Sequence, residues 1–188
     1  MNLRIIFSLL LFCLLSTSVS CLYAQHIRTA TLTEAEAEAV RESSVFPDER
    51  VKLYTKFLEE RAAKIKDLTG RPKSAQRVLK LDDTLQDFTA LMDETGSNLD
   101  QYSERHSDIR KALKLLTEDT PRWLNILRVL PGESGFDLAR KEAIESGEEL
   151  ADQAVRLLHE QNEYFATHKD EKGQERNDDQ VQPNPPKD

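Results

Sequence analysis

The stretch from Leu81 to Leu116 most constrains what this chain can fold into. Leu81, Leu85, Phe88, Met92, Thr95, Leu99, Tyr102, His106, Ile109, Leu113 and Leu116 follow one another at alternating steps of four and three. That is the period of a helix presenting a single seam to other helices. Gly96-Ser97-Asn98 places turn residues in the middle of the run, yet the apolar phase is the same on both sides. A mid-helix glycine costs only about 1 kcal/mol. The spacing therefore predicts one continuous helix over 74–117, about 65 Å long at 1.5 Å per residue.

The remaining segments read as helices of the same kind. Thr31 and Thr33 each stand three residues before a glutamate, Glu34 and Glu36, which are two overlapping capping boxes opening a first helix that runs to about residue 43. Its Glu-Ala repeat leaves it a thin apolar face. Phe46-Pro47 interrupts, and Asp48 is the predicted N-cap of a second helix over 49–69 that Gly70 and Pro72 stop. The seam of that helix is Val51, Tyr54, Leu58, Arg61, Ile65 and Leu68, with the Arg61 stem packing and its guanidinium reaching outward. Thr120-Pro121 predicts the start of a short helix over 122–130. Pro131 to Gly135 is a sharp turn, Ser134 the predicted N-cap, and 136–168 the last long helix, where Ala143 and Gly147 admit a close neighbour. The expected fold is all-α: an elongated antiparallel three-helix bundle over 31–168, spectrin-like by analogy of shape alone, with short helices added. Residues 169–188 lose their apolar content and end in Pro183, Pro185 and Pro186, which predicts a disordered polar tail.

The first 24 residues are a different material. Arg4 precedes an apolar run from Ile5 to Leu15, and small residues follow, the layout of a secretory signal peptide. Cleavage after Ala24 leaves a cysteine-free chain starting at Gln25. Processing before Cys21 leaves an N-terminal cysteine able to carry lipid. This second site resembles a bacterial lipoprotein signal in part, with Ser20 a suitable small residue but Ser18 standing where leucine is preferred. Membrane attachment is expected only if Cys21 is lipidated. The other cysteine, Cys13, leaves with the leader, so no disulfide is available to the mature fold.

The formal charge is −8, from 26 basic and 34 acidic residues interspersed along the chain. Without a basic block or stripe, phosphate neutralisation is missing and nucleic acid is not an expected partner. His159-Glu160 begins like a zinc HExxH motif, but Glu163 stands where the second imidazole belongs. Gly132-Glu133-Ser134-Gly135 is not a nucleophile elbow. Nothing assembles a nucleophile, base and orienter, so neither catalysis nor a cofactor is expected.

Two features suggest contacts. His106 falls on the seam, where a polar residue fixes register or senses pH. The 122–130 segment carries Arg122, Trp123, Leu127 and Arg128, and interface hot spots favour tryptophan and arginine, although Trp123, Leu127 and Leu130 would also plug one end of a bundle. The resulting expectation is an exported, non-catalytic bundle working by protein–protein contact in the bacterial cell envelope, periplasmic or secreted. The alternatives are a small-molecule or metal-binding periplasmic bundle and a self-associating coiled coil.

Overall fold

A computed structural model describes residues 31–43 and 46–171 of the chain. The chain divides into two compact units, 1–31 and 32–188. The expected signal peptide, Cys21 and most of the expected tail lie outside the described residues.

Among the described residues the second unit is all-helical: α1 (Glu34–Glu42), α2 (Pro47–Gly70), α3 (Ala75–Glu104), α4 (Arg110–Arg128) and α5 (Asp137–Thr167), followed by a 3-10 turn, Lys169–Glu171. The Thr33–Glu36 capping box is made at α1, with the Glu36 carboxylate accepting from Thr33 N–H at 2.7 Å and Thr33 Oγ1 accepting from Glu36 N–H at 3.3 Å. Ser74 caps α3, and α3 passes through Gly96 without interruption.

The expected continuous ladder helix is corrected between Tyr102 and Leu113 of its seam. It divides at 105–109 into α3 and α4, so the bundle has four long helices instead of three. Every ladder residue except His106 is nevertheless buried. Both halves face one core, and the intervening turn preserves the apparent phase. The stop is made by backbone bonds: Ser107 N–H donates to Tyr102 O at 2.9 Å and His106 N–H to Ser103 O at 3.0 Å, the paired bonds of a Schellman motif. The polar run Ser103 to Asp108 offers the core nothing to pack.

Three further boundaries differ from expectation. Pro121 lies inside α4 instead of opening a new helix. Hydroxyl donors take up nearby carbonyls, with Thr117 Oγ1 on Leu113 O at 2.7 Å and Thr120 Oγ1 on Leu116 O. Phe46, not Asp48, is the N-cap of α2, with Pro47 in the first turn. Phe136, not Ser134, is the N-cap of α5.

Helix directions follow from cross-helix pairs. Asp48 meets Ala112 and Glu59 meets Trp123, so α2 and α4 run parallel. Arg77 meets Glu133 and Gln153 meets Gly96, so α3 and α5 run parallel. Tyr54 on α2 meets Glu94 on α3, and Arg128 on α4 meets Glu148 on α5, so these pairs are antiparallel. The connections are short, and α2 and α5 face each other across one diagonal, α3 and α4 across the other. Close approach is built in at Gly147, where an added Cβ would stand 2.9 Å from Leu124 Cδ2. The ladder is thus enclosed within one chain.

Candidate functional site

One end of the bundle gathers the starts of α2 and α4 and the finishes of α3 and α5. The Asp48 carboxylate, expected to cap its own helix, instead accepts from Ala112 N–H on α4 at 2.9 Å and pairs with Lys52 at 2.7 Å. These carboxylates, Asp48 first and then Glu49, raise the Lys52 pKa above its ordinary value. Gln161 on α5 closes the turn from the other side. Its Oε1 accepts from Ile109 N–H at 3.1 Å and its Nε2 donates to Ser107 O at 2.9 Å.

Between these elements lies an open cavity of about 400 Å³ lined in part by Phe46, Asp48, Arg110, Lys111, Lys114 and Asn162. Phe46 is 59% exposed. The Arg110 guanidinium is held along one edge and over one face: the Asp108 carboxylate accepts from its Nε at 2.8 Å and its Nη2 at 2.7 Å, and its central carbon lies 4.7 Å from the Phe165 ring centre. The hydrogen bond from Arg110 holds the Asp108 carboxyl below its ordinary pKa. Lys111 and Lys114 are exposed, and no carboxylate among the described residues pairs with either ammonium. Three cations in the first turns of α4 oppose its macrodipole, at roughly 0.3–1 kcal/mol each before screening.

A smaller hollow of about 160 Å³ adjoins it, lined by Ser103, His106, Glu160, Gln161, Tyr164 and Phe165. Here His106 and His168 sandwich the Tyr164 ring, with centroids 4.3 and 4.1 Å away and planes within 4° and 10° of parallel. His106 is therefore not a seam residue: it is exposed at φ 53°, ends α3, and stacks on α5. Histidine is one of the side chains enriched in that backbone region. His106→Leu lowers stability by about 1–2 kcal/mol, because leucine is strained there and the ring stack is lost. His106→Asn loses less, since asparagine tolerates positive φ. Chemical denaturation of both variants checks this, and equal losses would place the whole effect on the stack.

The other predicted contact residues divide between core and surface. Trp123 is 1% exposed, edge-on to Phe88 at 6.1 Å, and Leu127 is also 1% exposed. Trp123 Nε1 donates to Glu59 at 2.7 Å. Arg122 pairs with Asp119 at 2.7 Å and Glu59 at 3.1 Å, and Arg128 pairs with Glu148 at 2.6 Å, all on the surface. The segment therefore packs the bundle, and its apolar anchors are not presented outward. Cys21 lies outside the described residues. His159 and Glu163 stand 3.7 Å apart on a solvated face, and no metal-ligand cluster occurs among the described residues.

Sequence reasoning missed Phe46, read only as part of a helix break, and Arg110, Lys111 and Lys114, which fell inside the expected 74–117 helix without comment. A polar run followed, after Ile109, by Arg-Lys-x-x-Lys was the available signal for a helix start carrying the wrong charge. No known family, curated protein or solved structure matches the chain.

Proposed function

We propose that this protein is an exported, non-catalytic bundle that acts by binding another protein in the cell envelope through its Phe46 end. The observation that carries this reading is the exposed Phe46 ring beside the uncommitted cations Lys111 and Lys114. An aromatic anchor with a charged rim is the composition from which interface hot spots are made. Export rests on the leader-like residues 1–24. A self-associating coiled coil has less support, because the seam it would use is buried within one chain. No described helix is long and apolar enough to cross a membrane.

A photo-crosslinking residue at position 46, introduced in the native host, yields one discrete adduct of raised mass. The same residue at Leu138, 71% exposed near the opposite end where α5 begins, yields none. An adduct at 138 but not at 46 would move the contact away from the Phe46 end. The intact mass of the recovered protein reads export in the same experiment. A chain starting at Gln25 is a free exported protein, one starting at acylated Cys21 is a tethered one, and a chain retaining residues 1–24 in the cytosolic fraction overturns export.

A further inference from the structure

We infer that the cavity at the Phe46 end takes an acidic polypeptide segment carrying an apolar side chain, an assignment that rests on reading that end as a contact surface. The rim carboxylates are committed: Asp48 to Ala112 N–H and Lys52, Glu49 to Lys52, and Asp108 to Arg110. Counting Lys52 with the lining, three carboxylates face four cations, Lys52, Arg110, Lys111 and Lys114, which leaves a surplus of one positive charge in a chain whose formal charge is −8. That charge lies at the start of α4, where the backbone dipole already favours anions. An acidic partner returns favourable interaction to a place where the fold alone has repulsion.

The same geometry argues against a small free oxyanion. At the start of α4, side chains already occupy the N–H groups of Ile109, Arg110 and Ala112. Arg110, the one side chain there able to grip an oxyanion with two parallel bonds, is held by Asp108 and covered by Phe165. What remains for a ligand is two solvated point charges and apolar surface. That surface is Phe46, together with Leu115, 39% exposed one turn beyond Lys111 on the same helix face. A peptide alternating acidic and apolar side chains uses both kinds of group at once. Two or three cations are also fewer than a polybasic lipid-binding cluster employs.

The test is fluorescence anisotropy with the exported full chain and a labelled short peptide alternating Glu and Leu, beside a Lys/Leu peptide of the same length. The Glu/Leu peptide is expected to bind saturably and more weakly as salt rises, while the Lys/Leu peptide does not bind. Lys111→Glu with Lys114→Glu weakens binding by roughly tenfold or more, and the double arginine variant retains it. Both lysines are exposed and oppose the α4 dipole, so a Tm unchanged or raised in the charge-reversed protein assigns the loss to the contact. Equal binding of the two peptides, or full binding by the charge-reversed protein, overturns the proposal. So does a large gain in affinity on removing 172–188, because Glu175, Asp178 and Asp179 of the chain itself would then be the occupant. An adduct at position 46 with no binding of the Glu/Leu peptide leaves the contact surface standing and overturns only the acidic partner. Absence of any adduct at position 46 removes the contact surface itself.

Discussion

Replacing Trp123 with alanine is expected to destabilise the protein by roughly 3–5 kcal/mol, the range for truncating a large aromatic in a packed core. The indole is 1% exposed, meets Phe88 edge-on at 6.1 Å with planes at 81°, and lies in a core with Leu116 and Leu127. Its removal deletes transfer free energy and leaves a void that helices on several sides cannot all collapse to fill. Trp123→Phe separates the two parts of the side chain. It keeps a ring against Phe88, gives up part of the buried volume of the indole, and loses the N–H bond to Glu59, whose side chain is 45% exposed and can turn to water. The hydrogen bond accounts for about 1 kcal/mol of the loss, and the vacated volume adds to it. Urea denaturation of the two variants measures both values. An alanine variant within about 1 kcal/mol of the parent would show that the indole is not core, and would return the 122–130 segment to the candidate contact surfaces.

That segment also shows what the sequence carried and what it hid. Its periodicity identified Trp123, Leu127 and Leu130 as apolar-face residues, and the structure buries all three. Periodicity alone does not say whether an apolar face meets its own chain or another. The ladder is the sharper case. Continuous phase across Gly96 correctly implied one helix there, because a glycine inside a turn of helix costs less than losing the packing on both sides. The same argument failed at His106. A turn of a few residues happened to restore the four-three count between Tyr102 and Ile109, so phase could not distinguish a helix from a reversal. The deciding interactions were nonlocal: Asp48 capping α4 from another helix, and Gln161 holding Ile109 and Ser107 from α5. Neither has a sequence signature, since the partners are more than 50 residues apart. The Phe46 end inherits that illegibility. Its cations gain their meaning only once Arg110 is known to begin a helix beside the start of α2.

Acidification is expected to release α1 before the rest of the bundle. Among the described helices α1 packs on α2 alone, and at nine residues it is too short to persist unsupported. Val40 is its one fully buried side chain, and the Glu36–Arg61 pair, with one contact at 2.8 Å, ties it down. The hydrogen bond from Arg61, helped by Thr33 and opposed by burial, lowers the Glu36 pKa from an ordinary 4.5 to about 2. A lowered carboxyl pKa contributes its full stabilisation above the free value, and loses it as pH falls from about 4.5 toward 2. Allowing for solvent at the edge of the pair, that contribution is roughly 2 kcal/mol. Asp87, close enough to act on the same Arg61, has the opposite sign: burial raises its pKa, so its protonation on acidification relieves a strain and offsets part of the loss. Glu36→Gln isolates the first effect, since it weakens α1 docking at neutral pH and flattens the acid transition while leaving Asp87 in place. The Val40 methyl resonances read docking directly and should move toward solvent-exposed values in acid ahead of those of Leu85 and Leu150 in the four-helix core. Val40 signals unchanged down to about pH 2, or a Glu36→Gln protein indistinguishable from the parent, would show that packing rather than the ion pair holds α1 in place.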